Sequence, residues 1–135
     1  MIRLVLIAYV LFLILDAIWL GVITRSIYLE EFKTIGRIAD GKFQIVYSAG
    51  AVVYLLLALG LAHFVFPKFD STTTLRDVFL TGALFGLITY GVYDMTNYAT
   101  LKDFSLKIAF IDMAWGTFVC GAVTVITYWI SAKFN

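Results

Sequence analysis

Four apolar stretches of twenty or more residues dominate this chain, at roughly residues 4–23, 45–66, 75–98 and 106–130. A helix rises about 1.5 Å per residue, so about 20 apolar residues cross the hydrocarbon layer of a bilayer. The backbone of a spanning segment must satisfy its own polar groups, which leaves helices and closed barrels. Stretches this long read as helices. Of the 135 residues, 62% are hydrophobic and 14% are charged, whereas soluble domains carry roughly 25% charged residues. A soluble domain of this size could not hide so much apolar surface. The predicted fold class is an all-α polytopic membrane protein, with residues 1–135 forming one four-helix transmembrane domain.

The first stretch begins Met-Ile-Arg and resembles a secretory signal. Its apolar run, however, continues past Asp16 and Trp19 to Ile23 with no small-residue cleavage site. It is expected to stay as a transmembrane helix.

Charge and cysteine usage exclude several function classes. Net charge is +1 with no basic cluster, so nucleic acid is not an expected partner. One cysteine, Cys120, allows no intrachain disulfide, and a single histidine leaves too few ligands for a nitrogen–sulfur zinc site. A metal would have to be held by carboxylates and other oxygen ligands. No metal site is assigned, and the sequence names no cofactor.

Residues 24–44 mix polar and apolar side chains. Tyr28, Phe32, Ile35 and Ala39 recur at helical spacing, with Glu30, Glu31, Lys33, Arg37 and Asp40 between them. This pattern predicts an interfacial amphipathic helix over about residues 26–40, ended by Asp40-Gly41. It is either a plain connector or a lid, with Tyr28, Phe32, Arg25 and Lys107 at an entrance.

The most informative stretch closes the third span, at residues 90–101. Tyr90, Asp94, Asn97 and Leu101 fall on one helical face, with Tyr93 and Thr100 beside it and Thr96 in the same turn. Gly82-x-x-x-Gly86, a close-packing motif, leads directly into this polar stripe. In the fourth span Asp112, Gly116 and Cys120 are spaced by four, with Trp115 adjoining. The second span's stripe of Tyr47, Gly50, Ala51, Tyr54 and Ala58 reads as packing, and His63 as structural. Tyr128 and Trp129 fit an aromatic belt.

Consecutive spans alternate direction, which fixes depth. Asp16 lies about 10 Å inside the end of its span, Asp112 roughly 9 Å and Asp94 roughly 6 Å, all in one leaflet. Intramembrane ionisable groups usually face a protein interior or a water-filled cavity. Three ionised carboxylates together in low dielectric are costly. One could be protonated and hydrogen-bonded by Tyr90, Tyr93, Asn97, Trp19 or Trp115. A basic side chain could reach in, or a cation could sit among them.

At these residues the chain resembles a known family. Asp-x-x-Trp at residues 16–19, Tyr-Asp-x-Thr-Asn-x-Ala-Thr-Leu at 93–101 and Asp-x-x-Trp-Gly at 112–116 are similar to the bacterial membrane-protein family catalogued as domain of unknown function 2177. Phe104 stands where the family pattern leads one to expect tryptophan. The resemblance implies a bacterial membrane protein of four spans, and hence an inner-membrane location. It implies no particular activity.

Six basic residues (Arg25, Lys33, Arg37, Lys42, Lys102, Lys107) lie on the aspartate side and four (Arg3, Lys68, Arg76, Lys133) on the other. The positive-inside tendency then puts the aspartates toward the cytoplasm. Three functions fit. One is binding or transport of a small amphipathic, lipid-like or cationic molecule at Asp16, Trp19, Tyr90, Tyr93, Asp94, Thr96, Asn97, Asp112 and Trp115, with proton coupling. Chains this short usually pair to form a pathway, so a homo-oligomer is expected there. The second is a membrane enzyme acting on a lipid or isoprenoid-like substrate, with the aspartates as acid and base or as metal ligands. The third is a non-catalytic sensor or assembly subunit.

Overall fold

The computed structural model describes residues 1–133. Its frame is four long apolar helices, as the hydropathy predicted. Helix α1 runs Ile2–Ile18 and widens into a π turn at Trp19–Ile23. Helix α2, Arg25–Glu31, follows at once. Two short antiparallel strands, β1 (Ile38–Ala39) and β2 (Lys42–Phe43), lead into α3 (Tyr47–Gly60). That helix ends in a π turn at Leu61–Val65 and a 3₁₀ turn at Phe66–Lys68 holding the lone proline, Pro67. Helices α4 (Leu75–Thr100) and α5 (Leu106–Lys133) complete the chain.

The connection after α1 corrects the expected helix over 26–40. Its helical part ends at Glu31, and the remainder closes a hairpin in which Ile38 pairs with Phe43 and Ala39 with Lys42. Asp40 and Gly41 both take positive φ, 50° and 68°. That pair of angles belongs to the two-residue hairpin turn that Asp-Gly favours. The dipeptide joins two strands, where the sequence pattern had it ending a helix.

Helices α4 and α5 form the tightest pair, and small residues explain it. A Cβ on Gly82 would strike Thr124 and the Cys120 carbonyl, and one on Gly86 would strike the Gly116 carbonyl. Gly116 in turn accepts the face of the Tyr90 ring. Lipid tails give no hydrophobic drive for helices to associate, so such close backbone approach supplies the packing energy. Helix α1 packs against both α3 and α5. The shared core gathers Ala8 and Phe12 with Leu57, Ala58, Leu61, Val119, Cys120 and Val123.

The remaining turns are pinned by local polar bonds. Thr74 caps α4: its Oγ1 accepts from the Asp77 backbone N–H at 3.2 Å and donates to Asp77 Oδ2 at 2.6 Å. Tyr128 Oη donates to the Asp70 carbonyl at 3.1 Å, tying the loop between α3 and α4 to α5. At the opposite end Tyr28, Phe104, Ile108 and Ala109 make a second apolar cluster.

Candidate functional site

The cluster at that end grows from α1. Its last turn widens because the Thr24 backbone N–H reaches back five residues to the Trp19 carbonyl at 2.9 Å. The Thr24 hydroxyl donates to the same oxygen at 2.8 Å. Such π turns recur at functional sites, since the extra residue re-aims neighbouring side chains. Here the turn begins at Trp19, whose indole lies flat on that of Trp115. The ring centroids are 4.2 Å apart and the planes differ by 1°.

Asp16 and Asp112 occupy the surroundings of this stacked pair. Trp115 Nε1 donates to Asp16 Oδ1 at 2.6 Å, and the Tyr54 hydroxyl reaches the same carboxyl from α3. Tyr28 Oη, carried by α2, donates to Asp112 Oδ1 at 2.6 Å. Burial, aided by the Asp112 charge beside it, pushes the Tyr28 phenol well above its usual range. At neutral pH it therefore stays a donor.

Asp94 meets Asp112 across the α4–α5 seam, with their carboxyl groups within hydrogen-bonding reach. Two ionised carboxylates only accept, so a hydrogen bond between them would need a proton on one of the two. Asp112 is the middle member, acting electrostatically on Asp16 on one side and Asp94 on the other. Asp16 is 5% exposed and Asp94 1%. Among the described residues, no basic side chain figures in the electrostatic surroundings of any of the three.

Two buried polar atoms here meet no ordinary donor or acceptor at bonding geometry: Trp19 Nε1 and Asp94 Oδ2, the latter on the carboxyl that lies against Asp112. The Trp19 indole N–H lies close to the Tyr28 hydroxyl but completes no bond to it.

The other residues predicted for the site divide. Tyr90 lies against Gly116 and within electrostatic range of Asp16 and Asp112. Asn97 is half-buried and lies beside the Tyr93 hydroxyl, while Tyr93 itself is 55% exposed. Thr96 points elsewhere: with Gly91, Met95 and Met113 it lines an open apolar groove of about 750 Å³ that none of the three aspartates touches.

Three of the four residues predicted at an entrance make contacts between the α2 region and the start of α5. Tyr28 is buried, and Phe32 stacks on it at 6.0 Å and meets Phe104 edge-on at 5.8 Å. Lys107 pairs with Glu31 at 2.8 Å, fastening α2 to the start of α5. The Lys107 and Ser105 hydrogen bonds hold the Glu31 carboxyl below its usual range. Arg25 is exposed. Tyr54 was missed as a site residue, because its stripe of small neighbours reads as packing and only the placement of α3 beside α1 reveals its reach to Asp16.

Fold and site together define a polytopic helical membrane protein with a buried acidic and aromatic cluster near one end of its bundle. Residues 1–129 match the family described as predicted membrane protein (DUF2177), and the chain belongs to that family. No curated protein and no solved structure matches it. Among the described residues, no three of His, Cys, Asp or Glu are grouped as ligands that could hold a metal ion.

Proposed function

We propose that this protein binds, and carries across one leaflet, a small amphipathic or cationic molecule at the Asp16–Asp112–Asp94 cluster, with exchange of the proton held by the carboxyls. One observation carries the reading: three carboxyl groups are gathered inside a membrane bundle with aromatic rings and no basic partner among the described residues. A chain gains little stability from such a group. Interhelical hydrogen bonds in membranes average below about 1 kcal/mol, and intramembrane ionisable groups mark ligand or proton paths by default. Carboxylates beside aromatic faces suit a cation or a polarised head group. Trp19, Trp115, Tyr28, Tyr54 and Tyr90 supply the aromatic surroundings, and Asn97 and Tyr93 stand toward the membrane surface.

The cluster is covered, so access requires α2 to move. Tyr28 and Phe32 form the cover, and the Glu31–Lys107 pair is its outer fastening. The excess of Lys and Arg on this side supports an opening toward the cytoplasm of a bacterial inner membrane.

Proteoliposomes with a pH-sensitive dye inside test the reading. Addition of tetraethylammonium or a small amphipathic amine to wild-type protein is expected to release protons at a rate that saturates with probe. The double variant Asp16→Asn, Asp94→Asn is expected to show only the leak of empty vesicles. Wild-type proton release by the double variant would sink the proposal.

A further inference from the structure

We propose that the π turn at Trp19–Ile23 is the hinge of the α2 cover, and that the cover opens when this turn tightens into ordinary α-helical register. The inference rests on the opening of α2 proposed above and names the device that performs it. Its basis is the backbone around Thr24. That residue alone separates the π turn from α2, and it stands outside helical geometry with φ −114° and ψ 7°. The Tyr28 N–H donates to the Thr24 carbonyl at 3.0 Å, so α2 hangs from this residue.

The chain makes the same kind of turn twice, and the two are held differently. In α3 the turn at Leu61–Val65 buries Leu61, Ala62 and Val65 in the core. At Trp19–Ile23 no residue is buried. Val22 is 77% exposed and Ile23 60%, and a Cβ on Gly21 would meet nothing within 4 Å. The turn is gripped at its ends. Trp19 stacks on Trp115, and the buried Thr24 holds the Trp19 carbonyl with both its N–H and its hydroxyl.

A π turn carries one residue more than the α turn it replaces. When the Ile23 N–H takes over the Trp19 carbonyl, that residue is fed into the helix beyond. Everything after it advances by one position, about 100° around the axis and about 1.5 Å along it. Ile27 then takes the register position of Tyr28, and the Tyr28 hydroxyl leaves Asp112 Oδ1. Ala8, Phe12 and Asp16 of α1 stay packed, because Val22 and Ile23 stand clear of the core. Opening is thus a register shift between two discrete states.

Deletion of Val22 tests the hinge. It removes the extra residue, puts Thr24 at α-helical spacing from Trp19 and leaves Tyr28 on Asp112, so no register remains to give up. Amide hydrogen exchange of the full chain in phosphatidylcholine nanodiscs, read by mass spectrometry over residues 25–31, reports opening. Protection of α4 and α5 reports the fold. Opening of the deletion variant no longer gains an α-helical bond for the one it loses. Its exchange in α2 is expected to slow about tenfold, the factor carried by one hydrogen bond.

A pair of substitutions reads the register itself. Tyr28→Phe frees α2 and quickens its exchange. Adding Ile27→Tyr brings a hydroxyl back to Asp112 only in the shifted register, and is expected to slow α2 exchange again by about threefold, a modest share of one hydrogen bond. A cover that merely swings at Thr24 gives wild-type exchange in the folded deletion variant, and that result overturns the proposal. A folded double variant that exchanges as fast as Tyr28→Phe also overturns it, whether or not the deletion variant folds. No cargo is present in either measurement, so both can fail while the binding role stands, and failure of that role in proteoliposomes leaves both untouched.

Discussion

Tyr28 and Asp112 are 84 residues apart in sequence and 2.6 Å apart in space. The bond fastens a short helix at the membrane surface to a carboxyl inside the bundle. It connects the junction where α1 gives way to α2 with the α4–α5 seam. Removing it should therefore act on both stability and access.

Tyr28→Phe is expected to lower stability by about 1 kcal/mol, the scale of a hydrogen bond within a membrane protein. A double-mutant cycle with Asp112→Asn, read by unfolding in mixed micelles, should return a coupling of similar size. Hydrogen exchange should quicken in α2 and stay unchanged in α4. A coupling near zero would mean that the bond does not form in the micelle-bound protein.

The seam itself sets the second expectation. Gly86→Ala puts a methyl group against the Gly116 carbonyl, a backbone atom that cannot step aside. Overpacking of this kind costs about 1–3 kcal/mol. Gly91→Ala meets only the tip of the Met113 side chain at 3.3 Å, so its effect should stay within about 0.5 kcal/mol. Unfolding midpoints of the two variants give the comparison, and equal losses would contradict the packing described.

The Glu31–Lys107 pair gives a dependence on pH. The Glu31 carboxyl is held below its ordinary value of 4.5, first by the Lys107 hydrogen bond. A depressed carboxylate stabilises the fold above its unfolded pKa and loses that contribution as pH falls through its folded pKa. The fastening of α2 is therefore complete at neutral pH and fails only below about pH 4.5. The Glu31→Gln variant should show at neutral pH the faster α2 hydrogen exchange that wild type shows in acid. High salt should narrow the difference, since the pair is open to solvent. Identical α2 exchange in the two proteins at every pH would exclude a fastening role.

Much of this arrangement was legible before any coordinates. Long apolar runs specify helices because lipid leaves the backbone no other partner, and alternation of direction puts Asp16, Asp94 and Asp112 at similar depth. Rotation was not legible. Each residue turns a helix by about 100°, so Thr96 sits about 200° round from Asp94 and faces the outer groove. Helix neighbours were not legible either, and Tyr54 comes within reach of Asp16 only because α3 packs on α1. At Asp40-Gly41 two signals coincide, since the same dipeptide ends helices and turns hairpins. Flanking Ile38 and Phe43 decide for the hairpin, as β-formers that pair directly across it.

The stacked indoles offer a further variant. Trp115→Phe removes the donor to Asp16 and leaves Tyr54 as that carboxyl's remaining partner among those named. Loss of about 1 kcal/mol is expected, and Tyr54→Phe added to it should cost more than the two single changes combined. Simple additivity in the unfolding free energies would show that the two donors act independently.

Native mass spectrometry of the protein released from its own membrane tests the central claim most directly. The carboxyl cluster is expected to retain a bound small molecule, seen as a discrete added mass on the wild-type chain. Asp94→Asn, folded and equally abundant, should lose that mass. The same added mass on both proteins, or bare protein in both, would contradict a ligand site built on Asp94.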